Sequence, residues 1–386
     1  MYNILTLNKI AKIGTDNFGE NYAVSDSIEN PDAIMVRSAK MHDMQFGNKL
    51  LAIGRAGAGV NNIPVERCAE EGIVVFNTPG ANANAVKELV LTALLISSRK
   101  IPDAMNWAQS LKGKGDEVGP LVEKGKAQFA GPEIAGKTLG IIGLGAIGVL
   151  VANAAIALRM KVVGYDPYLS VNTALRLDHH VQTVNDPKDV YAAADYLTIH
   201  VPYNPQTKGT VNADTIKLMK DGARIINLAR GELVDSEAIL AALASGKIAS
   251  YVCDFPSDEI LGVENVIALP HLGASTQEAE DNCAVMAAKE LVDYIENGNI
   301  TNSVNFPNAS MNAQGTKICV LHRNVPQVIS AVTTILGQAG INIDNMVNAS
   351  KKDYAYTLID ACGNIDDTIK EKLTAVDNVI RIRIIK

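Results

Sequence analysis

The segment from Thr138 to Leu158 constrains the fold more than any other part of the chain. The apolar run "TLGII" is followed by Gly143-Leu-Gly145-Ala-Ile-Gly148 and then by the helical pattern "AIGVLVANAAIAL". The first glycine permits a tight turn, the second lets a pyrophosphate approach the backbone, and the third lets the helix pack close to the sheet. This context predicts a strand–turn–helix unit that binds a dinucleotide at the helix N-terminus.

The surrounding sequence extends this unit into an α/β fold. Six strand candidates separated by helical patterns predict a doubly wound, Rossmann-like parallel sheet over residues 97–280. Residues 1–96 show the same alternation, and we expect residues 281–303 to return as a helix and complete that second parallel-sheet domain. Residues 304–316 are rich in Asn and Ser and are predicted to be a linker. Residues 317–386 follow a βαββαβ order and predict a separate α+β domain.

One segment within the predicted nucleotide domain has a different composition. Residues 113–136 are polar and contain several glycines, which is typical of a loop.

Composition and charge exclude several classes of function. The net charge is −7 and no block of Lys or Arg occurs, which argues against nucleic acid or an anionic membrane surface as a partner. The five cysteines are far apart, with neither disulfide nor metal-ligand spacing, so we expect no metal site and a reducing cytoplasm. The N-terminus lacks signal-peptide features, and no run approaches the roughly 18 apolar residues of a membrane span.

Asp166 indicates which dinucleotide binds. It stands at the end of the next apolar run, about 20 residues beyond the glycine motif. A carboxylate there accepts hydrogen bonds from the adenine-ribose hydroxyls and repels a 2′-phosphate, and Pro167 and Tyr168 supply no arginine. The sequence therefore favours NAD over NADP.

Three later stretches supply groups for hydride chemistry. Arg230 follows a strand in "INLARGELVD", three carboxylates follow a strand in "CDFPSDE", and His271 follows a strand in "LPHLGAST". The carboxyl ends of parallel strands meet at one edge of a sheet, so we expect these groups to converge. An arginine that binds a carboxylate, a histidine that takes a proton and a carboxylate that orients it suit the oxidation of a 2-hydroxy acid. His200, in "TIHVP", is more typical of a structural, hydrogen-bonded histidine.

The N-terminal part contains a candidate anion site. Basic and hydroxyl side chains follow two strands at Arg37, Ser38 and Arg55, and Asn82 and Asn84 stand at the start of a long helical pattern. Basic side chains near glycine-rich backbone favour a phosphorylated substrate, although ordinary turns and surface charges are the alternative interpretation.

With these residues in place, the chain resembles the D-isomer-specific 2-hydroxyacid dehydrogenases. The resemblance covers nearly the whole chain and rests on "GRAGAGVNN", "NTPGANANA", "GKTLGIIGLGAIG", "HVPYNPQTKG", "INLARGELVD" and "PHLGASTQEA". It implies an NAD-dependent oxidoreductase of at least two subunits, a homodimer or a homotetramer, acting on a phosphorylated 2-hydroxy acid. The alternatives are a dehydrogenase acting on glyoxylate, hydroxypyruvate or D-lactate, and a binding protein that senses NAD without turnover.

The resemblance also implies roles for individual residues. The catalytic residues would be Arg230, His271 as acid/base, and Glu259, which aligning the family pattern on Asp254 selects; aligning it on Phe255 selects Asp258 as the alternative carboxylate. Substrate contacts would come from Arg37, Ser38, Arg55, Gly57, Asn82, Asn84 and Arg230. NAD contacts would come from Gly143, Gly145, Ala146, Ile147, Gly148, Asp166, His200, Val201, Pro202, Leu228, Ala229, Arg230, Asp254, His271, Gly273 and Ala274.

The C-terminal domain resembles an ACT domain, a small amino-acid-sensing module. In related dehydrogenases such a module binds L-serine, which here implies contacts from His322, Asn324 and Asn342. Gln327 stands where a glycine is common, so a module used only for dimerisation is the alternative.

Overall fold

The computed structural model describes residues 1–385, which form two compact units. The first unit combines Met1–Ala81 with the residues from Gln277 onward, and the second is Asn82–Thr276. The first unit begins with β1 (Tyr2–Leu7), α1 (Lys12–Thr15), β2 (Tyr22–Ser25), β3 (Ala33–Val36), β4 (Ala52–Arg55), α2 (Val65–Glu70) and β5 (Val74–Asn77).

The second unit contains most of the helices. Its elements are α3 (Ala83–Ser98), α4 (Ile101–Ser110), α5 (Val118–Gly125), β6 (Thr138–Ile142), α6 (Ala146–Ala157), β7 (Lys161–Tyr165), α7 (Val171–Ala174), β8 (Gln182–Thr183), α8 (Pro187–Ala193), β9 (Tyr196–Ile199), α9 (Ala213–Leu218), β10 (Ala223–Asn227), α10 (Ser236–Ala244), β11 (Ile248–Cys253) and β12 (Val266–Ala268). Short 3₁₀ helices occur at Gly115–Glu117, Lys126–Phe129 and Gly231–Leu233.

The first unit then resumes along the C-terminal part of the chain. Its remaining elements are α11 (Gln277–Asn297), β13 (Thr316–Arg323), α12 (Val328–Gln338), β14 (Asn342–Lys351), β15 (Tyr354–Cys362), α13 (Asp367–Thr374) and β16 (Val379–Ile385).

The N-terminal sheet is parallel, with strand order β2-β1-β3-β4-β5. The helix α11 packs on β3, β4 and β5. A side chain at Gly54 would collide with Leu291, so glycine allows the helix its close approach. The four-residue strand β2 is one that the hydrophobic pattern did not predict.

The second unit is built on the predicted doubly wound sheet. Its strand order is β12-β11-β10-β9-β6-β7-β8, all parallel, so the order reverses beside β6, where the glycine motif follows. The two-residue β8 was not predicted. The prediction that residues 113–136 form a loop was wrong, because α5 and two 3₁₀ helices lie there. The glycines of this segment obscured the periodic pattern of α5, a short amphipathic helix that has no buried residue.

The C-terminal residues form the predicted βαββαβ module, an antiparallel sheet of order β14-β15-β13-β16. Alternate residues of β13 point to opposite faces. Ile318 and Val320 pack in the module's own core with α12 and α13. Cys319 and Leu321 join the core around α11, together with Tyr356 and Leu358 of β15. Both faces of β13 and β15 are therefore buried, which explains their nearly continuous apolar runs, whereas the edge strand β14 is polar and mostly exposed.

The segment predicted to be a linker is folded against β5. Phe306 is fully buried, and Ile300 pairs with Ala309 in an antiparallel bridge. The side chain of Asn305 accepts a hydrogen bond from the amide of Val75 and donates one to the carbonyl of Ile73. This segment thus extends the edge of the parallel sheet. The domain boundaries predicted from the sequence, 1–96 with 281–303, 97–280 and 317–386, stay a prediction.

The C-terminal module binds the last turn of α11 through side-chain donors. Arg383 donates to the carbonyls of Tyr294 and Ile295, and Tyr356 donates to that of Gly298. Lys317, which is 4% exposed, donates to the carbonyls of Asn297 and Met311. These donors satisfy carbonyls that a helix end otherwise leaves unpaired.

Within residues 1–385, no helix has the length and apolar character needed to cross a lipid bilayer.

We expect Lys317→Met to lower the free energy of unfolding by about 1–3 kcal/mol, because it leaves buried carbonyls without donors. The matched control is Lys370→Met on α13, where the lysine is exposed and the change should be close to neutral. Urea unfolding of the three proteins measures the difference. Equal stability of the two variants would contradict the capping role of Lys317.

Candidate active site

The glycine motif forms a narrow turn between β6 and α6. Gly143 has φ +97°, a left-handed value, and a Cβ there would lie 2.7 Å from the carbonyl oxygen of His200. A Cβ on Gly148 would lie 2.0 Å from the carbonyl oxygen of Gly143. Gly145, the N-cap of α6, instead faces open space. This turn exposes a helix N-terminus to an approaching anion, as a dinucleotide pyrophosphate requires.

Asp166 closes the same turn. One carboxylate oxygen accepts the amide of Leu144 at 2.9 Å, and the other accepts the amide of Tyr168 at 2.8 Å. Each oxygen keeps a further lone pair that can accept a hydroxyl proton. The arrangement therefore fits the adenine ribose of NAD, and this role of Asp166 stays a prediction.

A buried asparagine shapes the turn that carries Arg230. Asn227, at the end of β10, is fully buried; its amide nitrogen donates to the carbonyl of Arg230 at 2.8 Å, and its oxygen accepts the amide of Ala229 at 3.2 Å. The Arg230 side chain is held back along the chain by a 2.6 Å bond to the carbonyl of Ala229. This hydrogen bond sets the direction of the exposed Arg230 guanidinium.

Phe255 brings Arg230 and His271 together. The guanidinium carbon of Arg230 lies 5.2 Å from the centre of the Phe255 ring, and the His271 ring centre lies 4.3 Å from it. The predicted convergence of the arginine and the histidine therefore occurs around an aromatic ring. Sequence reasoning missed Phe255, because a lone aromatic after a strand is indistinguishable from a core residue.

Asp254 provides a buried acceptor beside these groups. It is 1% exposed at the end of β11, and neither of its oxygens has a hydrogen-bond partner of normal geometry among the described residues. Burial raises its pKa to about 6, although nearby amides, first that of Gly273, and the Arg230 guanidinium act to lower it. A buried carboxylate that lacks a donor fits the amide group of a nicotinamide.

The carboxylate expected to orient His271 stays a prediction. Asp258 and Glu259 are both exposed in the turn after Phe255, and neither is favoured by its burial.

His200 has the structural environment that the sequence indicated. Its amide donates to the carbonyl of Ile142, and its ring nitrogen pairs with the hydroxyl of Thr198 at 3.0 Å. Burial lowers its pKa to about 4, so the ring is neutral at pH 7. The other predicted NAD contacts, which stay predictions, lie in the first turn of α6 or after β9, β10 and β12: Ala146, Ile147, Val201, Pro202, Leu228, Ala229, Gly273 and Ala274.

The predicted anion-binding residues of the first unit lie around the start of α11. Arg37 forms a 2.7 Å ion pair with Glu280. Arg55 folds over Gly57, whose φ of +142° favours glycine. Both arginines lie near Cys283 of α11. Burial raises the pKa of its thiol, and the guanidinium groups of Arg55 and Arg37 act to lower that pKa.

The remaining predicted substrate residues have separate environments. The amide of Ser38 donates to the side chain of Asn8 in the first unit. Asn82 is the N-cap of α3 in the second unit, and Asn84 donates to Glu88 on the exposed surface of that helix.

Within the C-terminal module the three predicted ligand residues differ in exposure. His322 is 3% exposed and pairs through both ring nitrogens, with the Arg323 carbonyl and the Thr357 hydroxyl. Asn324 and Asn342 are exposed. Serine binding at these residues stays a prediction.

Comparison with known proteins identifies the class. Residues 91–273 match the family model of the D-isomer-specific 2-hydroxyacid dehydrogenase NAD-binding domain. The chain belongs to this family of NAD-dependent oxidoreductases.

Several relatives share one name. The chain is 35% identical to D-3-phosphoglycerate dehydrogenase of Synechocystis sp. over 98% of this chain and 68% of that protein. It is 34% identical to the Escherichia coli protein of that name over 87% of this chain and 82% of the relative. It spans about half (53%) of the length of the Methanocaldococcus jannaschii protein of that name, with 37% identity over 73% of this chain.

Solved structures share the fold. An NAD+-bound 3-phosphoglycerate dehydrogenase of Entamoeba histolytica superposes with a TM-score of 0.61 at 26% identity, covering 80% of this chain and 99% of that one. A glyoxylate reductase of Paecilomyes thermophila superposes with a TM-score of 0.65 at 23% identity, covering 78% and 98%.

We expect NAD affinity to depend on the ionisation of Asp254. The pKa of about 6 lies above the usual 3.8, so this carboxyl is protonated below pH 6 and ionised above it. An amide donor favours the ionised form. The Kd for NAD should therefore fall by about tenfold between pH 5 and pH 7. Asp254→Asn should bind more weakly and lose this dependence, as titration calorimetry can measure; a retained dependence would contradict the assignment.

We expect Phe255→Leu to reduce kcat/KM about two- to fivefold, because a cation–π contact near the surface contributes about 0.5–1 kcal/mol. Phe46→Leu is the matched control, since Phe46 also carries an arginine, Arg67, over its ring. The control should retain wild-type kcat/KM. An equal loss in both variants would contradict a role for Phe255 in the site.

Proposed function

We propose that the protein is a D-3-phosphoglycerate dehydrogenase. It would oxidise 3-phospho-D-glycerate to 3-phosphohydroxypyruvate, the reaction that opens L-serine biosynthesis. The observation that carries this proposal is the similarity to proteins of that name over 98% and 87% of the chain. The fold alone is compatible with several 2-hydroxy acids as substrates.

Arg230 binds the carboxylate of the hydroxy acid in this proposal. A planar guanidinium offers two parallel hydrogen bonds to a carboxylate, and it also polarises an adjacent carbonyl as that group forms. The buried Asn227 and the Phe255 ring limit where the guanidinium can lie.

His271 accepts the proton of the substrate hydroxyl. Bound NAD+ would supply the hydride acceptor for C2 of the acid. As the ketone forms, the hydroxyl proton would move to an imidazole nitrogen of His271. Glu259 is the carboxylate proposed to stabilise the imidazolium, with Asp258 as the alternative. His271 then releases the proton to solvent, which restores the base.

The phosphate is assigned to the first unit. Arg55 and Arg37 provide two guanidinium groups, and the turn at Gly57 provides backbone near them. Ser38, Asn82 and Asn84 are proposed as further substrate contacts. Phosphate recognition by paired guanidinium groups would favour a phosphorylated acid over the unphosphorylated ones.

Two finer assignments rest on the resemblance. We propose that the protein is a homodimer or homotetramer and that L-serine binds its C-terminal module. The exposed side chains of Asn324 and Asn342 support a ligand contact there, whereas His322 would act from within the module.

The decisive experiment compares substrates with the purified protein. NADH oxidation is measured with 3-phosphohydroxypyruvate, hydroxypyruvate, glyoxylate and pyruvate. We expect kcat/KM to be at least about 10²-fold higher for the phosphorylated acid, or about 3 kcal/mol of transition-state discrimination. Equal or higher values for an unphosphorylated acid would overturn the proposed substrate.

We expect His271→Gln to reduce kcat by about 10²–10⁴-fold, the usual contribution of general acid–base catalysis, while NADH still binds. His180→Gln is the control, because that exposed histidine pairs with Asp178 and lies against His179 in a surface turn. Single-turnover kinetics with both variants would measure the effect on the chemical step. Retained turnover in His271→Gln would exclude it as the base.

A further inference from the structure

Glu290 is a buried carboxyl group that the proposed mechanism does not use. It lies on α11, is 8% exposed, and accepts a hydrogen bond from the Asn302 side chain at 2.7 Å. Its second oxygen has no hydrogen-bond partner among residues 1–385. Burial raises its pKa to about 8, so the neutral form predominates at pH 7. A buried polar group with an unpaired oxygen is costly, so the single hydrogen bond between Glu290 and Asn302 requires an explanation.

Asn302 connects Glu290 to the end of β5. Its φ of +59° is left-handed, and its carbonyl accepts the amide of Asn77 at 3.4 Å. The next residue, Ser303, pairs with Phe76 in an antiparallel bridge. The bond from Asn302 to Glu290 therefore fixes the start of the segment that runs along β5.

Asn77 connects β5 to the turn that carries Arg55. Its side chain donates to the carbonyl of Ala58 at 2.6 Å, and the amide of Thr78 donates to the carbonyl of Gly57 at 3.1 Å. Arg55 in turn folds over Gly57. One continuous path of hydrogen bonds thus leads from Glu290 through Asn302 and Asn77 to this turn.

We propose that Glu290 is a positioning residue, which sets the Arg55–Gly57 turn through Asn302 and Asn77 and thereby determines affinity for the anionic substrate. This inference rests on the proposed function, in which Arg55 binds the substrate. Small displacements of a substrate-binding group cost binding and rate strongly, so a contact remote from the substrate can be measured through KM.

Two substitutions separate hydrogen bonding from packing. Glu290→Gln retains an acceptor for Asn302 and the shape of the side chain, so KM should stay close to wild type. Glu290→Leu removes the acceptor, and we expect the KM for the hydroxy acid to rise about tenfold while kcat and the KM for NADH change less than about twofold. Lys289→Leu, an exposed neighbour on α11, is the matched control and should leave all three constants unchanged.

Asn302→Gly tests the other end of the bond and serves if Glu290→Leu does not fold. Glycine retains the left-handed backbone and removes the donor, so the same selective rise in KM is expected. An unchanged KM in Glu290→Leu or Asn302→Gly would overturn the inference. So would a loss in Glu290→Gln as large as in Glu290→Leu, or a parallel rise in the KM for NADH.

The substrate comparison with wild-type protein is made first, so that failure of the proposed function can be distinguished from failure of the positioning role of Glu290. If an unphosphorylated acid is preferred, the proposed function fails. The KM comparison is then made with the preferred acid, and a rise in KM confined to Glu290→Leu and Asn302→Gly would keep the positioning role of Glu290.

Discussion

Within the first unit, attachment of the C-terminal module depends on the carboxyl end of α11. A helix leaves its last carbonyls without partners, and here burial keeps water from satisfying them. Arg383, Lys317 and Tyr356 supply donors from two strands of the C-terminal module. Two of these donors are cationic and lie at the negative end of the helix dipole. The module is therefore held by complementary chemistry as well as by the apolar faces of β13 and β15.

The buried amide of Asn227 and the half-buried carboxylate of Asp166 shape two loops of the second unit. Asn227 satisfies backbone groups on both sides of the turn that carries Arg230, and Asp166 binds two amides across the glycine turn. Loops fixed in this way lose little conformational entropy when a ligand binds. Functional groups held at strand ends of a rigid sheet are thereby preorganised.

The sequence predicted the features that depend on local pattern. Glycine spacing, strand–helix alternation and the position of polar residues after strands led to both parallel sheets, the βαββαβ module, and the convergence of Arg230 and His271 on one part of the site. Features that depend on tertiary contact were missed. Phe255 has no local signal, and the cap on α11 joins residues far apart in the chain. The segment 304–316 looked like a linker because its buried Phe306 and Asn305 have partners only in the folded protein.

Burial also separates the roles of His200 and His271. A general base is most effective when its pKa lies near the working pH, because it must take up a proton and release it in each cycle. Burial holds the pKa of His200 near 4, so protonating that ring at pH 7 would be costly. His271 lies on an exposed turn against Phe255, where water can stabilise a charged imidazole. Of these two histidines, both of which follow strands, His271 has the environment that suits the proposed role of base.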